Sequence, residues 1–150
     1  MITVLYIDDE PHNLVAFKAS FRRNFNVLTA ESAEEGRNIL ENNIVHIILS
    51  DQRMPKMSGI EFFESILEKH PDPIRILITG FTDINAVIDA INRGQVYKYL
   101  TKPWNENDVK NFIEKAYEVY RLRKENIELT NQLIDVNQKL EFIARQSLLS

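Results

Sequence analysis

Hydrophobic residues over the first hundred positions fall into two alternating rhythms. Short apolar runs at Thr3–Ile7, Asn26–Ala30, His46–Ser50, Ile74–Thr79 and Val96–Thr101 are rich in β-branched or aromatic residues and have strand length. Between them, Asn13–Arg22, Ala33–Asn42, Ile60–Lys69 and Ile84–Arg93 carry apolar residues three or four apart, as in Leu14, Phe17 and Phe21, or Ile84, Val87, Ile88 and Ile91. Ser32 stands three before Glu35, a capping box that opens the second helix. Gly94 sits where the fourth helix needs a left-handed stop. The near-unbroken apolarity of Ile47–Leu49 and Ile74–Ile78 predicts central strands buried on both sides. All four glycines and all five prolines lie before residue 104, so nothing from Asn105 to Ser150 breaks a helix.

Five βα units in succession predict an α/β fold, a parallel sheet covered on both faces by helices. For five strands the doubly wound, flavodoxin-like (βα)5 order 2-1-3-4-5 is the leading choice, and its ligand site lies outside the carboxyl ends of the strands. The first strand ends in Asp8-Asp9-Glu10, the third in Asp51, the fourth in Thr79-Gly80 and the fifth in Lys102-Pro103. Two or three carboxylates, a hydroxyl and an ammonium should therefore share one crevice. Carboxylates held together repel one another. A hard cation relieves them, and an open set of few oxygen ligands suits magnesium, which keeps waters and accepts a phosphoryl oxygen. Lys102 can ion-pair with an added phosphoryl group, Thr79 can hydrogen-bond to it, and Gly80 removes bulk beside it. Taken singly, an Asp at a strand end is ordinarily a loop or cap residue and Lys-Pro a turn. The conjunction of all four at the ends of the right four strands is what carries the chemistry.

Composition narrows the field further. The chain has 150 residues, 44% hydrophobic and 27% charged, which is globular composition for one domain, or one domain with an appendage. A net charge of −4 argues against non-specific nucleic-acid binding. The absence of cysteine excludes disulfides, zinc–thiolate sites, iron–sulfur clusters and a thiol nucleophile, and fits a cytoplasmic setting. No apolar run approaches the roughly 20 residues that cross a bilayer, and the N-terminus lacks the basic region of a signal peptide. His12, His46 and His70 have no partner at ligand spacing and are poor candidates for chemistry.

The sequence resembles the receiver domain of bacterial two-component response regulators. The residues that carry the resemblance are Ile7-Asp8-Asp9-Glu10-Pro11, Ser50-Asp51-Gln52-Arg53-Met54-Pro55-Lys56-Met57-Ser58-Gly59, Ile78-Thr79-Gly80 and Tyr99-Leu100-Thr101-Lys102-Pro103-Trp104, across about residues 2 to 118. The resemblance implies that Asp51 accepts a phosphoryl group from a sensor histidine kinase or phosphotransfer protein. It implies that Asp9, Asp51 and the backbone carbonyl of Arg53 ligate Mg2+, with Asp8 supporting the metal through water. Thr79 would be the switch hydroxyl, Tyr99 the aromatic residue that follows it, and Lys102 the contact to phosphate, with a cis bond to Pro103. Slow self-dephosphorylation is then expected. Arg53 and Phe81 either tune its rate or are ordinary rim residues.

Asn105, with Glu106 and Asp108 behind it, predicts a fifth helix whose Phe112, Ile113, Ala116 and Tyr117 pack on the sheet. Beyond it Val119, Asn126, Leu133 and Leu140 take a positions, and Leu122, Leu129, Val136 and Ile143 take d positions, of a heptad repeat. Residues 1–118 would form the receiver. Residues 119–150 would form a coiled-coil extension joining two copies, or a linker toward an output domain. The competing reading is one amphipathic helix folded back on the receiver. The stretch from Gly94 to Trp104 is more like receivers joined to enzymatic or ATPase outputs than those joined to winged-helix DNA binders, and no contact to nucleic acid or membrane is expected from this chain. Two other functions remain open. One is a phosphate-independent dimeric adaptor. The other is a magnesium-dependent aspartyl phosphatase, against which stands the adjacency of Asp8 and Asp9, since such enzymes space their two Asp residues two apart.

Overall fold

The computed structural model describes residues 1–80, 84–92 and 96–149. Five strands, β1 (Thr3–Ile7), β2 (Asn26–Ala30), β3 (Ile47–Asp51), β4 (Ile74–Thr79) and β5 (Lys98–Thr101), form one parallel sheet in the order β2-β1-β3-β4-β5. Helices α1 (Pro11–Phe21), α2 (Ala33–Asn42), α3 (Gly59–Ile66), α4 (Ile84–Asn92) and α5 (Glu106–Leu149) connect and cover it. This is the predicted doubly wound arrangement.

Each face of the sheet carries its own core. On one side Val4, Tyr6, Ile47, Leu49, Ile76 and Ile78 meet Leu14, Phe17 and Phe21 of α1 and Val109, Ile113 and Ala116 of α5. On the other Leu5, Ile7, Ile48 and Leu77 meet Leu40 of α2, Phe62, Phe63 and Ile66 of α3 and Val87 and Ala90 of α4. Alternate residues of one strand thus serve opposite cores, which is why these strands read as continuous apolar runs. Full burial of such a side chain contributes about 1.5–3 kcal/mol.

Where the boundaries differ from the sequence reading, local chemistry accounts for it. α1 begins at Pro11 rather than Asn13, because proline suits the first helical position. α3 stops at Ile66 rather than Lys69; the chain turns through His70, whose amide donates to Ile66 O at 2.8 Å, ahead of Pro71. β5 starts at Lys98 rather than Val96, as befits an edge strand with a neighbour on one side only. Ser32 caps α2, its hydroxyl accepting from Glu35 N at 3.2 Å, but the Glu35 carboxylate accepts from Glu31 N at 2.7 Å, so only the serine half of the expected capping box is met. Gly94, Arg93 and Phe81, singled out above, lie outside the described residues.

α5 starts at the predicted place. Asn105 Oδ1 accepts from Asn107 N at 2.8 Å and Asp108 N at 3.4 Å. It then runs to Leu149 as one helix. Val119 and Tyr120 still touch the receiver core, whereas residues 121–148 are exposed throughout. The tail does not fold back.

Candidate functional site

The carboxyl ends of β1, β3 and β5 bring three carboxylates and one ammonium together. Asp8 follows β1 and is completely buried, Asp9 beside it is half-buried, and Asp51 ends β3. One carboxylate oxygen from each lies within 4.8 Å of the other two. Lys102, just past β5, places Nζ 3.5 Å from Asp8 Oδ2 and 3.6 Å from Asp51 Oδ2. The Lys102–Pro103 bond is cis, as expected.

Asp8 is held on every side. Its Oδ2 accepts from the Tyr6 hydroxyl at 2.9 Å and Asn13 Nδ2 at 3.0 Å, and its Oδ1 from Glu10 N at 2.9 Å. Burial, and then the charge of Asp8, push the Tyr6 phenol far above its usual value, so it stays a proton donor. Asp51 has a different balance. Burial raises its carboxyl above the usual carboxylate value; Lys102 opposes the shift, and Asp8 and Asp9 add to it. One ammonium faces three carboxylates. Oxygen donors in excess of their counter-charge, part-open to solvent, fit a hard cation such as magnesium.

Thr79 ends β4 and is 1% exposed. Its hydroxyl donates to Gly80 O at 3.1 Å, and its carbonyl accepts from Lys102 N at 3.2 Å. Gly80 leaves open space where a Cβ would stand. Tyr99 lies in β5 opposite Leu77 and is 36% exposed. Arg53 is exposed on the loop directly after Asp51. Trp104 sets its ring edge-on to Tyr6 at 6.5 Å, above the start of α5.

The sequence reading missed Tyr6, Asn13 and Gln52. Tyr6 falls within the apolar run of β1, Asn13 opens a helix-period segment, and Gln52 stands in the motif around Asp51 with no role of its own. Only the fold aims their polar atoms at the carboxylates or at the loop that carries them. A tyrosine two residues before an acidic strand end was the one available hint.

Comparison with known proteins fits this geometry. Residues 4–114 match the family described as the response regulator receiver domain. The hydrogenase transcriptional regulatory protein HoxA of Bradyrhizobium diazoefficiens is 38% identical over 123 residues, 82% of this chain and 25% of that protein. The C4-dicarboxylate transport transcriptional regulatory protein DctD of Rhizobium meliloti is 31% identical over 144 residues, 95% of this chain and 31% of that protein. The chain thus spans about a quarter to a third of the length of these curated relatives. A response regulator receiver domain from Clostridium thermocellum superposes with a TM-score of 0.76 at 33% identity, covering 81% of this chain and 98% of that one. The matched segment holds all five strands and every carboxylate of the crevice, and on that ground the chain belongs to the receiver-domain family of two-component response regulators.

Proposed function

We propose that Asp51 is the phosphoryl acceptor of this two-component receiver and that the crevice around it is the phosphorylation site. The observation that carries the reading is Asp51 at the mouth of the cluster, with Lys102 Nζ 3.6 Å from its Oδ2 and the Asp8 and Asp9 oxygens within 4.8 Å. A receiver implies a phosphodonor partner such as a histidine kinase. In the proposed transfer an Asp51 carboxylate oxygen attacks phosphorus in line. The bond from phosphorus to the donor's imidazole nitrogen breaks, that nitrogen keeps the electron pair, and an acyl phosphate forms. Lys102 leaves its two carboxylate partners to neutralise the transferred oxygens. Thr79, buried at the end of β4, turns its hydroxyl from Gly80 O toward the new group, and Tyr99 at the sheet edge follows. Asp9, Asp51 and the Arg53 carbonyl would hold Mg2+ directly, with Asp8 behind them. When bound, the ion supplies charge neutralisation at the transferring oxygens. Water reaching the same crevice would hydrolyse the acyl phosphate slowly.

Incubation with acetyl phosphate and magnesium should add one phosphoryl group, seen by intact mass. Asp51→Asn and chelator should each abolish it. Undiminished labelling of the Asp51→Asn chain would refute the assignment, and an unaltered chain that takes up no phosphoryl group would revive a phosphate-independent adaptor.

A second observation supports an extension of this reading. Leu122, Leu129, Leu133, Val136, Leu140 and Ile143 are 49–61% exposed along the part of α5 that extends past the receiver core. We propose residues 1–118 as the receiver and 119–150 as a coiled-coil extension joining two copies.

A further inference from the structure

We propose that Gln52 is a positioning residue that holds the metal- and phosphoryl-binding loop in register by capping α3 from outside the helix. The proposal rests on the reading of Asp51 and Arg53 given above. The first amides of any helix lack intrahelical partners. In α3 Gln52 takes two of the first three. Gly59 N donates to Gln52 O at 3.1 Å, and Ile60 N donates to Gln52 Oε1 at 3.0 Å. The third, Glu61 N, goes to Ser58 Oγ at 3.2 Å. Gln52 also donates its own amide to Ile78 O on β4 at 2.9 Å.

One residue therefore ties together the end of β3, the neighbouring strand and the start of α3. The loop from Arg53 to Ser58 is closed at its base by these bonds, with Lys56 in the left-handed region at φ 69°. A Cβ at Gly59 would stand 2.6 Å from the Asp51 carbonyl oxygen and 2.7 Å from Leu77 Cδ1, so the helix start abuts the Asp51 backbone directly. A shift of that helix start is passed to Asp51 and to the Arg53 carbonyl beside it. Loss of the Gln52 Oε1 acceptor would free Ile60 N to seek water and let the loop's base open. Ser58 would still cap the third amide, so α3 itself would survive. That separates positioning from folding.

Two variants of the full chain test this. Gln52→Met keeps the length and removes the acceptor; Gln52→Glu keeps an acceptor oxygen. Magnesium affinity is read from Trp104 fluorescence, since Trp104 contacts the tyrosine that holds Asp8, and loop closure from the hydrogen exchange of the Ile60 amide. Gln52→Met should weaken magnesium binding about tenfold, the usual scale for a support behind a metal ligand. It should slow acetyl phosphate labelling in parallel and speed Ile60 exchange, while the melting temperature in chelator moves little. Gln52→Glu should restore Ile60 protection and bring magnesium affinity to within about threefold of the original chain, a margin well inside that tenfold effect. A Gln52→Met chain that binds magnesium as the original does, whatever its melting temperature, would overturn the proposal. So would a Gln52→Glu chain with Ile60 protected but magnesium binding still weak. If the unaltered chain takes up no magnesium, the site reading falls and this proposal with it. If the unaltered chain binds and Gln52→Met binds equally, this proposal falls alone.

Discussion

Asp8 and Asp9 are adjacent in sequence and opposite in energetic character. Asp8 is fully buried and accepts from Tyr6, Asn13 and Glu10, with Lys102 nearby, so its charge is compensated. Asp8→Ala leaves a buried phenol and an ammonium short of a partner and should cost about 2–3 kcal/mol in a denaturant titration. A neutral outcome would mean that water replaces the carboxylate. Asp9 adds repulsion without that support: its charge raises Asp51. Asp9→Asn should therefore raise the melting temperature in chelator while weakening magnesium binding; a lower melting temperature would show Asp9 to be held by stabilising hydrogen bonds. Asp51 gives the matching pH dependence. Its folded carboxyl lies above the ordinary 3.8, with burial the largest cause. Folding therefore favours the protonated form. Its contribution is complete below about pH 3.8 and is lost as pH rises through the raised value. At neutral pH without metal, Asp51→Asn should melt a few degrees higher than the original chain, and the difference should vanish in acid. Magnesium should reverse the order, because the ion binds only the folded site with its carboxylate intact.

The elements that the hydrophobic rhythm located best are those where rhythm and capping agree. β1, β2, β4 and α2 begin and end where the sequence places them, and α2 does so behind its Ser32 cap. The carboxylates of the crevice were also legible, because a parallel sheet sends its ligand residues to the strand ends and Asp8, Asp9, Asp51 and Lys102 all sit there. What stayed hidden depends on contacts between distant elements. His46 shows why. In sequence it is a polar residue ahead of an apolar strand. In the fold its Nδ1 accepts from Thr3 N at 2.9 Å, and its ring meets Tyr117 and Tyr120 of α5 edge-on at 5.1 and 5.0 Å. It thereby joins β1, β3 and the point where α5 leaves the receiver. Lys124 adds an ion pair to Asp72 at 2.6 Å on the same side, half-exposed and worth at most about 1 kcal/mol. Burial, and then the N-terminal charge, lower the His46 imidazole below its ordinary 6.5. A depressed basic group stabilises the fold when neutral, so this contribution is complete above about pH 6.5 and is lost as pH falls through the lowered value. His46→Phe keeps the ring contacts and removes the acceptor. It should cost about 1 kcal/mol at neutral pH and flatten the stability profile just below pH 6.5. An unchanged slope in that interval would assign it to other groups.

The receiver is closed on itself, with both sheet faces covered, whereas residues 121–148 of α5 are exposed throughout. An isolated helix of that length gains little from hydrogen bonds alone in water, and a row of half-exposed Leu, Val and Ile is a strong drive to associate. Asn126 at an a position meets its twin only in a parallel pair, where it specifies register at some cost in stability, and Glu118 and Arg123 fall at the g and following e positions, where they attract across that interface. The tail also carries Ile127 and Ile134, 57% and 50% exposed, at b positions outside the two-stranded seam. These residues test whether a and d alone form the seam. In a dimer they remain in water, so Ile127→Gln with Ile134→Gln should leave the sedimentation of the full chain unchanged at tens of micromolar. Leu129→Gln with Leu133→Gln, on the seam itself, should give a monomer, as should truncation after Arg121, which keeps Val119 and Tyr120 on the receiver core. Asn126→Leu should tighten association and loosen its register, seen by cross-linking a Cys placed at Leu133 to its equivalent. A full chain that stays monomeric, or a truncated one that dimerises equally well, would end the proposal of a tail-joined pair. Dissociation caused by the Ile127 and Ile134 changes would show that the b positions are covered and would rule out a simple pair joined by a and d alone.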